Sequence, residues 1–278
     1  MKISVVTPSY NQGRFLGRTL ASVASQEGVE HDHVVFDAKS TDETLDVLRA
    51  AGDSVRWVSE KDRGQADAVN KGIHATDGEI IGWLNSDDLY YPGALKAVAD
   101  FFAAHPEVDV VYGNADHVDL DDRAFEDYPT EDFDLERLKD RSFICQPACF
   151  FRRSTVERFG ALDDSLQYCM DYELWLRWAK AGAKFARLSV KLAGSRLYAD
   201  NKTLGARVKV HAEINDMMKR TFGRVPDRWL VNYAYAKLEA EGGKPGKLEV
   251  AKAAIEASKR WNGEVPGLSF WLSRLAGG

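Results

Sequence analysis

Two adjacent carboxylates, Asp87 and Asp88, follow an apolar run that ends at Leu84. The run from Ile80 to Leu84 predicts a strand that is buried on both faces. Ligands of open α/β sheets bind outside the carboxyl ends of such strands, so we expect both acids in a crevice. Because two ionised carboxylates repel each other, the pair needs a compensating cation, hydrogen-bond donors or water. Mg²⁺ or Mn²⁺, which prefers carboxylate oxygens and is commonly shared with substrate phosphates, is the simplest such cation.

Two more acidic residues stand at the ends of predicted elements. Asp37 follows the predicted second strand, and Asp171 precedes a strongly helical segment. A carboxylate at a helix N-terminus is stabilised as an anion by the helix dipole, and the simple alternative for Asp171 is an N-cap. Asp87 and Asp88 have a similar alternative, as a solvated turn before a helix that begins at Pro92. The spacing of the acids alone leaves both alternatives open.

Strands and helices alternate regularly through the first half of the chain. The predicted strands are 2–7, 33–36, 55–59, 80–84 and 108–112, and apolar residues at helical spacing lie between them. The first helix is predicted at 13–25, and the capping-box pattern Ser40-Thr41-Asp42-Glu43 predicts the start of the second. Short connections between alternating strands and helices predict a mostly parallel sheet wound by right-handed crossovers.

The alternation weakens beyond Gly113. We predict a strand at 144–151, a helix at 154–159 and, after residues 184–188, a polar closing loop at 195–203. From Ala206 onward helix formers dominate, and turn residues at 223–226 and 242–246 divide them into three predicted helices. The predicted fold class is therefore α/β, with helices flanking a mostly parallel central sheet and a small C-terminal helical appendage.

Composition and missing motifs exclude several classes of function. The net charge is −6 and the basic residues are scattered, so nucleic acid is not an expected partner. Cys145, Cys149 and Cys169 are odd in number and lack CxxC spacing, which argues against a disulfide framework or a zinc site and favours a reducing compartment. The chain lacks GxGxxG, GxSxG and HExxH, so dinucleotide oxidoreductases, elbow hydrolases and zinc proteases lose their main support.

We expect the protein in the cytoplasm. Its first residues enter a strand pattern directly, and no apolar run approaches membrane-spanning length. Aromatic and basic residues are interleaved after Arg260 and could touch a membrane surface. The apolar residues of this tail instead repeat at the spacing of a helix that packs within the protein: Leu268, Trp271, Leu272 and Leu275. The tail is therefore expected to make at most peripheral contact, at the inner face of the cell membrane.

Five segments, in this order, resemble the motifs of family 2 inverting glycosyltransferases with the GT-A fold. They are Val5-Val6-Thr7-Pro8-Ser9-Tyr10-Asn11, Asp37-Ala38-Lys39-Ser40-Thr41-Asp42-Glu43-Thr44, Asp62-Arg63-Gly64 with Ala68-Val69-Asn70-Lys71-Gly72, Trp83-Leu84-Asn85-Ser86-Asp87-Asp88, and Met170-Asp171-Tyr172-Glu173-Leu174-Trp175. The resemblance covers about residues 1–204. It implies a GT-A type fold in which 1–112 form a nucleotide-sugar-binding half and 113–204 an acceptor-binding and catalytic half, with 205–278 as the appendage.

The resemblance also implies roles for residues that match the motifs. Thr7, Pro8 and Tyr10 would line the nucleotide pocket. Asp37 would lie at the floor of this pocket. The residues that lie along the donor would be Asp62, Arg63 and Asn70.

The acids at the chemical centre match two further motifs of the family. Asp87 would face the ribose of the donor, and Asp88 would hold Mg²⁺ or Mn²⁺ on the diphosphate. Asp171 would be the general base that takes the proton of the acceptor hydroxyl. This arrangement suits an inverting transfer, because the base and the stabilised leaving group act on opposite faces of the anomeric carbon.

Three positions depart from the family pattern. Ala38 follows Asp37 where many members carry a second acid, so one contact to the nucleotide base is missing. Tyr198 stands where many members have a histidine that reaches the metal or diphosphate. Met170 precedes Asp171 where the family has glutamate. Metal affinity and the choice of nucleotide therefore stay open, although Tyr198 could still donate a hydrogen bond to a phosphate oxygen.

The expected function is transfer of a sugar from a nucleoside diphosphate sugar, with UDP as the expected nucleotide, to a hydroxyl of a glycan or lipid-linked acceptor. Such an enzyme would serve polysaccharide biosynthesis. One alternative is a non-catalytic sugar-nucleotide-binding or scaffold protein that has kept the fold, which Ala38 and Tyr198 motivate. Another alternative, a nucleotidyltransferase, would need a Gly-rich, basic phosphate loop after the first strand, and Pro8 to Gly13 do not provide one.

Overall fold

The computed structural model describes residues 1–198 and 205–276 of the protein. The chain divides into two compact units, one formed by Met1–Leu135 and Ser142–Tyr198 and the other by Glu136–Arg141 and Ala199–Gly278. The acids at the centre of the predicted site all lie in the first unit. The predicted functional boundary between residues 112 and 113 lies inside this unit and stays a prediction.

Within the described residues, nine strands form one sheet. Their bounds are β1 (Ile3–Ser9), β2 (His31–Asp37), β3 (Arg56–Ser59), β4 (Ile80–Trp83), β5 (Leu89–Tyr90), β6 (Val110–Val118), β7 (Ala124–Asp127), β8 (Cys149–Arg152) and β9 (Phe185–Arg196). The order across the sheet is β3-β2-β1-β4-β8-β6-β9-β5, and β7 pairs with β6. The first four strands in this order are parallel, and β8 joins antiparallel to both β4 and β6. The predicted α/β fold with a mostly parallel sheet is confirmed, with antiparallel strands added beside β4.

The parallel part of the sheet brings three strand ends together. Every residue of β1 is buried, as expected for a strand covered on both faces. In the register of the sheet, Ser9 of β1 is opposite Asp37 of β2, and Val6 is opposite Trp83 of β4. The loops after these three strands therefore meet at one edge of the sheet.

Seven helices are described up to residue 198. They are α1 (Gly13–Ala24), α2 (Thr44–Ala50), α3 (Gln65–His74), α4 (Ala94–Ala104), α5 (Leu135–Asp140), α6 (Arg153–Phe159) and α7 (Met170–Lys180). Helix α1 buries the apolar residues whose spacing predicted it, which are Phe15, Leu16, Leu20 and Val23. Local periodicity therefore located this helix to within one residue of its observed end.

The predicted capping box at the start of α2 is wrong. The helix begins at Thr44, and no side chain caps it from the N-cap residue Glu43. Asp42 instead accepts hydrogen bonds from the backbone N–H groups of Thr44 and Gly13, both at 3.0 Å. The physical reason is a tertiary contact: the carboxylate ties this loop to the loop after β1.

Two predicted strand boundaries near the site are also wrong. The strand predicted at 144–151 begins only at Cys149, because a short 3₁₀ turn at Gln146–Ala148 that contains Pro147 precedes it. Strand β9 continues through Arg196, so the first two residues of the predicted closing loop pair with β6. Residues 199–203 of that predicted loop lie outside the described residues.

The second unit is helical. Four helices are described between 205 and 276, namely α8 (Arg207–Phe222), α9 (Asp227–Ala240), α10 (Lys247–Asn262) and α11 (Leu268–Ala276). The two predicted breaks are confirmed, and α11 adds a fourth helix to the predicted three, because Gly263 and Pro266-Gly267 separate it from α10. Helix α11 packs on α10, and its Trp271 is fully buried. None of the described helices is both long and apolar enough to cross a membrane.

Gly72 lies at a close contact between α3 and β1, which gives a first prediction. A Cβ atom at this position would lie 2.2 Å from Cγ1 of the fully buried Val6. We expect Gly72→Ala to lower the free energy of unfolding by about 1–3 kcal/mol, because overpacking forces the helix or the strand to shift. Gly17 of α1 is a matched control, since its Cβ would meet only Val47 at 3.7 Å.

Urea unfolding followed by circular dichroism measures both variants. Gly17→Ala should be neutral or stabilise the protein by up to about 1 kcal/mol, because alanine favours helix more than glycine does. Equal destabilisation by both substitutions would contradict the close packing at Gly72.

Candidate active site

The loops after β1 and β2 form one wall of the candidate site. Asn11, with a φ angle of 51°, donates its backbone N–H to Ser40 Oγ at 2.7 Å. The Oδ1 atom of Asn11 accepts a hydrogen bond from the Thr41 backbone N–H at 2.8 Å. Gly13 has no room for a side chain, because a Cβ there would lie 2.6 Å from the Thr44 backbone nitrogen. The two loops are therefore held together as one surface.

Asp37 is fixed in orientation at the end of β2. It is 1% exposed, and its Oδ1 accepts a hydrogen bond from Ser40 Oγ. Its Oδ2 accepts from the Ser40 backbone N–H at 3.1 Å and from Ser59 Oγ at 2.6 Å. The carboxylate thus has a defined direction at the sheet edge, and its place at the floor of a nucleotide pocket stays a prediction.

The three residues predicted to line the nucleotide pocket differ in their access to a ligand. Thr7 is fully buried, and its hydroxyl lies 2.8 Å from Nε2 of His33. Burial lowers the pKa of His33 to about 3, so this imidazole is neutral at pH 7. Pro8 is also buried in β1, whereas Tyr10 is 61% exposed. Of the three, Tyr10 presents its side chain to solvent, where a nucleotide base could stack on it.

Asp62 and Arg63 lie in the loop before α3. Asp62 Oδ1 accepts a hydrogen bond from the Gly64 backbone N–H at 3.0 Å, and burial raises the pKa of this carboxyl. The Arg63 guanidinium forms ion pairs with Asp67 at 2.8 Å and with Asp164 at 2.5 Å. A contact between Arg63 and the nucleotide-sugar donor would therefore compete with these two carboxylates. The predicted contacts of Asp62 and Arg63 with the nucleotide sugar stay predictions.

Asn70 has a structural partner at both atoms of its side-chain amide. Its Nδ2 donates to the Leu162 carbonyl at 2.9 Å, and its Oδ1 accepts from the Leu162 backbone N–H at 3.1 Å. These two bonds tie α3 to the segment after α6. A contact between this amide and the nucleotide-sugar donor would disturb both hydrogen bonds. The predicted place of Asn70 along the nucleotide sugar stays a prediction.

Asp88 lies in the turn after β4 and is enclosed by hydrogen-bond donors of the protein. It is only 4% exposed, so the simple alternative of a solvated turn is wrong for this residue. Its Oδ1 accepts from the Arg196 backbone N–H at 2.8 Å, and its Oδ2 accepts from Asn85 Nδ2 at 3.3 Å. Burial, and next the charge of Asp87, raises the pKa of Asp88 well above its usual range. A cation beside the pair would offset this cost of ionisation.

Asp87 is half-buried and pairs with Tyr198. Burial raises the pKa of Asp87, and the hydrogen bond that Tyr198 donates to its Oδ2 at 2.9 Å opposes this rise. The Tyr198 ring lies 5.2 Å from the Phe15 ring, and Gln12 Nε2 donates to the Tyr198 hydroxyl at 3.2 Å. Burial raises the pKa of Tyr198 to about 12, so the phenol keeps its proton at neutral pH. The helix after this turn begins at Ala94 rather than at the predicted Pro92.

An amide network fixes the side chain of Asn85, for which the sequence indicated no role. Its Oδ1 accepts from Trp83 Nε1 at 3.0 Å and from Gln65 Nε2 at 2.7 Å. Its Nδ2 donates to Gln146 Oε1 at 2.7 Å, and Gln146 Nε2 donates to the Trp83 carbonyl at 2.5 Å. Because the oxygen of Asn85 is taken by two donors, its NH₂ group faces Asp88.

Arg196 holds the turn that carries both acids. Its side chain is only 1% exposed, and its Nε donates to the Asp87 carbonyl at 2.7 Å. Its Nη1 donates to the Asp119 carbonyl at 2.5 Å, and its Nη2 binds the carboxylate of Asp122. The guanidinium also lies over the Phe15 ring at 4.7 Å. One buried side chain therefore joins β9, the turn after β4, the turn between β6 and β7, and α1.

We expect Arg196→Met to lower the free energy of unfolding by about 3 kcal/mol, because it leaves buried acceptors without their donor. Arg18→Gln is the matched control, since Arg18 pairs with the same Asp122 at 3.1 Å but is 38% exposed. An exposed pair of this kind contributes less than about 1 kcal/mol. Urea unfolding compares the two, and similar small losses would show that Arg196 does not hold the turn.

Asp171 lies in the first turn of α7, and the N-cap residue Cys169 makes no side-chain cap hydrogen bond. Burial raises the pKa of the Cys149 and Cys145 thiols and of the Tyr128 hydroxyl, and the charge of Asp171 raises these pKa values further. The charge of Asp88 also raises the pKa of Cys145. The charges of Asp88 and Asp171 therefore both act on the buried Cys145 thiol, and the catalytic and metal-binding roles of the two acids stay predictions.

The donor set around Asp88 fits a divalent cation that is shared with a substrate. No group of three or more His, Cys, Asp or Glu side chains within 1–198 and 205–276 is arranged as a metal site. Mg²⁺ seldom needs one, because it keeps several waters and binds through one or two carboxylates plus substrate phosphates. Asp87 and Asp88 offer two adjacent carboxyls of this kind, and a bound cation would favour their ionised forms, which burial disfavours.

Comparison with known proteins establishes the family. The profile described as Glycosyl transferase family 2 matches residues 4–160. A PGL/p-HBAD biosynthesis glycosyltransferase of Mycobacterium tuberculosis is 31% identical over 179 residues, which are 63% of this chain and 68% of that protein. An uncharacterised glycosyltransferase of Nostoc sp. is 29% identical over 176 residues, which are 59% of this chain and 54% of that protein. The chain thus matches about half the length of the Nostoc relative.

Solved structures share the fold. S. aureus TarS 1-349 in complex with UDP-GlcNAc has a TM-score of 0.69 at 17% identity, over 96% of this chain and 82% of that chain. The mannosyltransferase PcManGT from Pyrobaculum calidifontis, in complex with GDP-Man and Mn²⁺, has a TM-score of 0.61 at 19% identity, over 99% of this chain and 79% of that chain. These likenesses confirm the predicted GT-A fold. Because the family profile spans more than half of the sequence, this chain belongs to the family 2 glycosyltransferases.

Proposed function

We propose that the protein is an inverting glycosyltransferase that moves a sugar from a nucleoside diphosphate sugar, with UDP as the expected nucleotide, to an acceptor hydroxyl. The observation that carries the proposal is the pair of adjacent acids that follows β4. Asp87 and Asp88 lie in the turn after this strand, Asp88 is 4% exposed, and the charges of Asp88 and Asp171 both act on the Cys145 thiol. A metal-binding acid and a candidate base in one region are what a metal-assisted glycosyl transfer requires.

The proposed donor is supported by the fold neighbours and by the site. TarS was crystallised with UDP-GlcNAc and with UDP, and PcManGT with GDP-Man and Mn²⁺. In this chain, Tyr10 directly follows β1 and Asp37 ends β2, at the edge where a nucleotide would bind in an α/β sheet. Thr7 and Pro8 would shape the pocket from within β1, and Asp62, Arg63 and Asn70 would border the donor.

Each acid would have a distinct role in the transfer. Asp88 would hold Mg²⁺ or Mn²⁺, and the bound ion would neutralise the negative charge that develops on the departing diphosphate. Asp87 would face the ribose, with Tyr198 orienting its carboxylate. Asp171 would accept the proton of the acceptor hydroxyl as that oxygen attacks the anomeric carbon. The proton would then reside on the Asp171 carboxyl, and the bond between sugar and diphosphate would break.

The proposed acceptor is a glycan or a lipid-linked saccharide, in polysaccharide biosynthesis. We place the enzyme in the cytoplasm, with at most peripheral contact at the inner face of the cell membrane. The burial of Trp271 supports a tail that packs within its own unit rather than in a membrane surface.

A second candidate is a non-catalytic sugar-nucleotide-binding or scaffold protein. The observation that favours this candidate is that both acids already accept hydrogen bonds from the protein. Both oxygens of Asp88 accept hydrogen bonds, and Asp87 accepts one from the Tyr198 hydroxyl. The presence of Asp171 at the start of α7 favours the enzyme instead.

Calorimetric titration of UDP and GDP with Mn²⁺, followed by turnover assays with a panel of nucleotide sugars, tests the proposal. We expect binding of one diphosphate and release of sugar, to water or to a saccharide acceptor, with inverted anomeric configuration by NMR. Binding without turnover of any donor would favour the non-catalytic candidate. Retained anomeric configuration would contradict the assignment of Asp171 as the base of a direct displacement.

A further inference from the structure

Arg14 places a guanidinium beside the pair formed by Asp87 and Tyr198. It lies in the first turn of α1 and is exposed to solvent. Its Cζ atom lies 4.9 Å from the centre of the Tyr198 ring and 4.3 Å from that of the Phe15 ring. The hydroxyl of Tyr198 donates a hydrogen bond to Asp87 Oδ2 at 2.9 Å. The Arg14 guanidinium therefore lies beside the ring of the tyrosine that contacts Asp87.

The other arginines near this edge already have anionic partners. Arg196 and Arg18 both bind the carboxylate of Asp122, and Arg63 binds Asp67. Arg14 forms no ion pair with a carboxylate within 1–198 and 205–276, and its guanidinium lies over the rings of Phe15 and Tyr198. Its charge is thus available to a ligand that carries negative charge.

The acidic residues of the site require a compensating positive charge if a diphosphate is to bind beside them. Asp37, Asp87 and Asp88 make this edge of the sheet acidic, and a diphosphate adds further negative charge. Tyr198, which stands where many family members have a histidine, donates a hydrogen bond through its hydroxyl but carries no positive charge. A divalent ion on Asp88 would compensate only part of the charge.

We propose that Arg14 binds the diphosphate of the donor directly and supplies, from the first turn of α1, the second cationic contact that Tyr198 cannot provide. The inference rests on the proposed function, because it takes a nucleoside diphosphate as the ligand. A guanidinium suits this role, since its planar array of N–H donors matches two phosphate oxygens at once. Phe15 and Tyr198 flank the group and restrict its motion, which lowers the entropy lost on binding.

The test is calorimetric titration of UDP, UMP, GDP and GMP into the full chain, with Mn²⁺ and again with EDTA. The variants are Arg14→Gln, Arg14→Lys and the control Arg18→Gln, which removes a charge one helical turn away that pairs with Asp122. For the diphosphate that the parent binds, Arg14→Gln should weaken affinity by about tenfold to a hundredfold, as expected for a lost charge-assisted hydrogen bond. The monophosphate should lose less, so the preference for diphosphate over monophosphate should fall.

Two further results are expected if Arg14 contacts phosphate directly. The loss should persist in EDTA, because the contact does not pass through the metal. Arg14→Lys should recover part of the affinity, since it restores the charge without the planar donors. Arg18→Gln should change affinity by less than about twofold, because its exposed charge is screened and already paired.

Three outcomes would overturn the inference. Unchanged diphosphate affinity in Arg14→Gln, with normal binding by the parent, would overturn it while leaving the proposed function intact. If Arg14→Gln and Arg18→Gln weakened diphosphate affinity equally, the effect would come from the overall positive charge of α1 and not from a direct contact of Arg14 with phosphate. Failure of the parent to bind either diphosphate would overturn the proposed function and this inference with it.

Discussion

Asp171→Asn is expected to lower the turnover number by about a hundredfold or more, because a general base contributes on the order of 10² to 10⁴ in rate. The amide has the shape of the carboxylate and can keep its place in the first turn of α7, but it cannot take the proton of the acceptor. Donor affinity should change little. The charges of Asp171 and Asp88 both act on the Cys145 thiol. This is expected if the two acids belong to one site.

Steady-state kinetics at saturating donor and calorimetric binding of the nucleoside diphosphate measure the two effects separately. Asp46→Asn is a matched control, since Asp46 lies in the first turn of α2 with its side chain 80% exposed. Both substitutions remove a carboxylate from a helix N-terminus, so a capping effect would appear in both. Near-parental turnover in Asp171→Asn would make Asp171 a helix cap and place the base elsewhere.

The parallel half of the fold could be predicted from the sequence because its signals are local. Apolar runs that end abruptly at polar residues marked β1, β2 and β4, and the acids at their ends then had to meet, since parallel strands share one carboxyl edge. Asp37 and Asp88 lie at that edge as expected. The spacing of Phe15, Leu16, Leu20 and Val23 located α1 for the same reason.

The contacts that orient these acids could not be predicted from the sequence because they are made over long distances. Arg196 donates to the carbonyl of Asp87, a residue 109 positions earlier in the chain. The continuation of β9 into the predicted loop is what brings Arg196 there, and no local pattern marks it. Asp42 shows the same limit, since a tertiary contact with Gly13 replaced the capping box that the local sequence predicted.

Asn70 illustrates a different limit. The resemblance to the family assigned it a place along the donor, and the structure shows both of its amide atoms bonded to the backbone of Leu162. A motif can therefore match a residue whose side chain also supports the scaffold. The predicted role of Asn70 consequently has less support than that of Asp88, a buried acid in the turn after β4, at the edge of the sheet where ligands bind.

Asp88→Ala is expected to weaken Mn²⁺-dependent binding of the nucleoside diphosphate by about a hundredfold, and more than Asp87→Ala does. Loss of residues that merely orient metal ligands commonly costs 10-fold to 100-fold in affinity, so loss of a ligand itself should reach at least the upper end of about 100-fold. The backbone N–H of Arg196 and the amide of Asn85 hold Asp88 in one orientation, whereas Asp87 is more exposed and bonded to Tyr198. A rigid carboxylate loses little entropy when it binds an ion.

Calorimetric titration of Mn²⁺ in the presence of UDP or GDP, repeated for both variants, gives the comparison. Binding that remains in EDTA should be similar in the parent and in Asp88→Ala, because only the metal-dependent part passes through this residue. Asp87→Ala should reduce affinity in both conditions, since its predicted contact is to the ribose. Equal losses in the two variants, or a parent whose diphosphate affinity is the same with Mn²⁺ and with EDTA, would show that Asp88 is not the metal ligand.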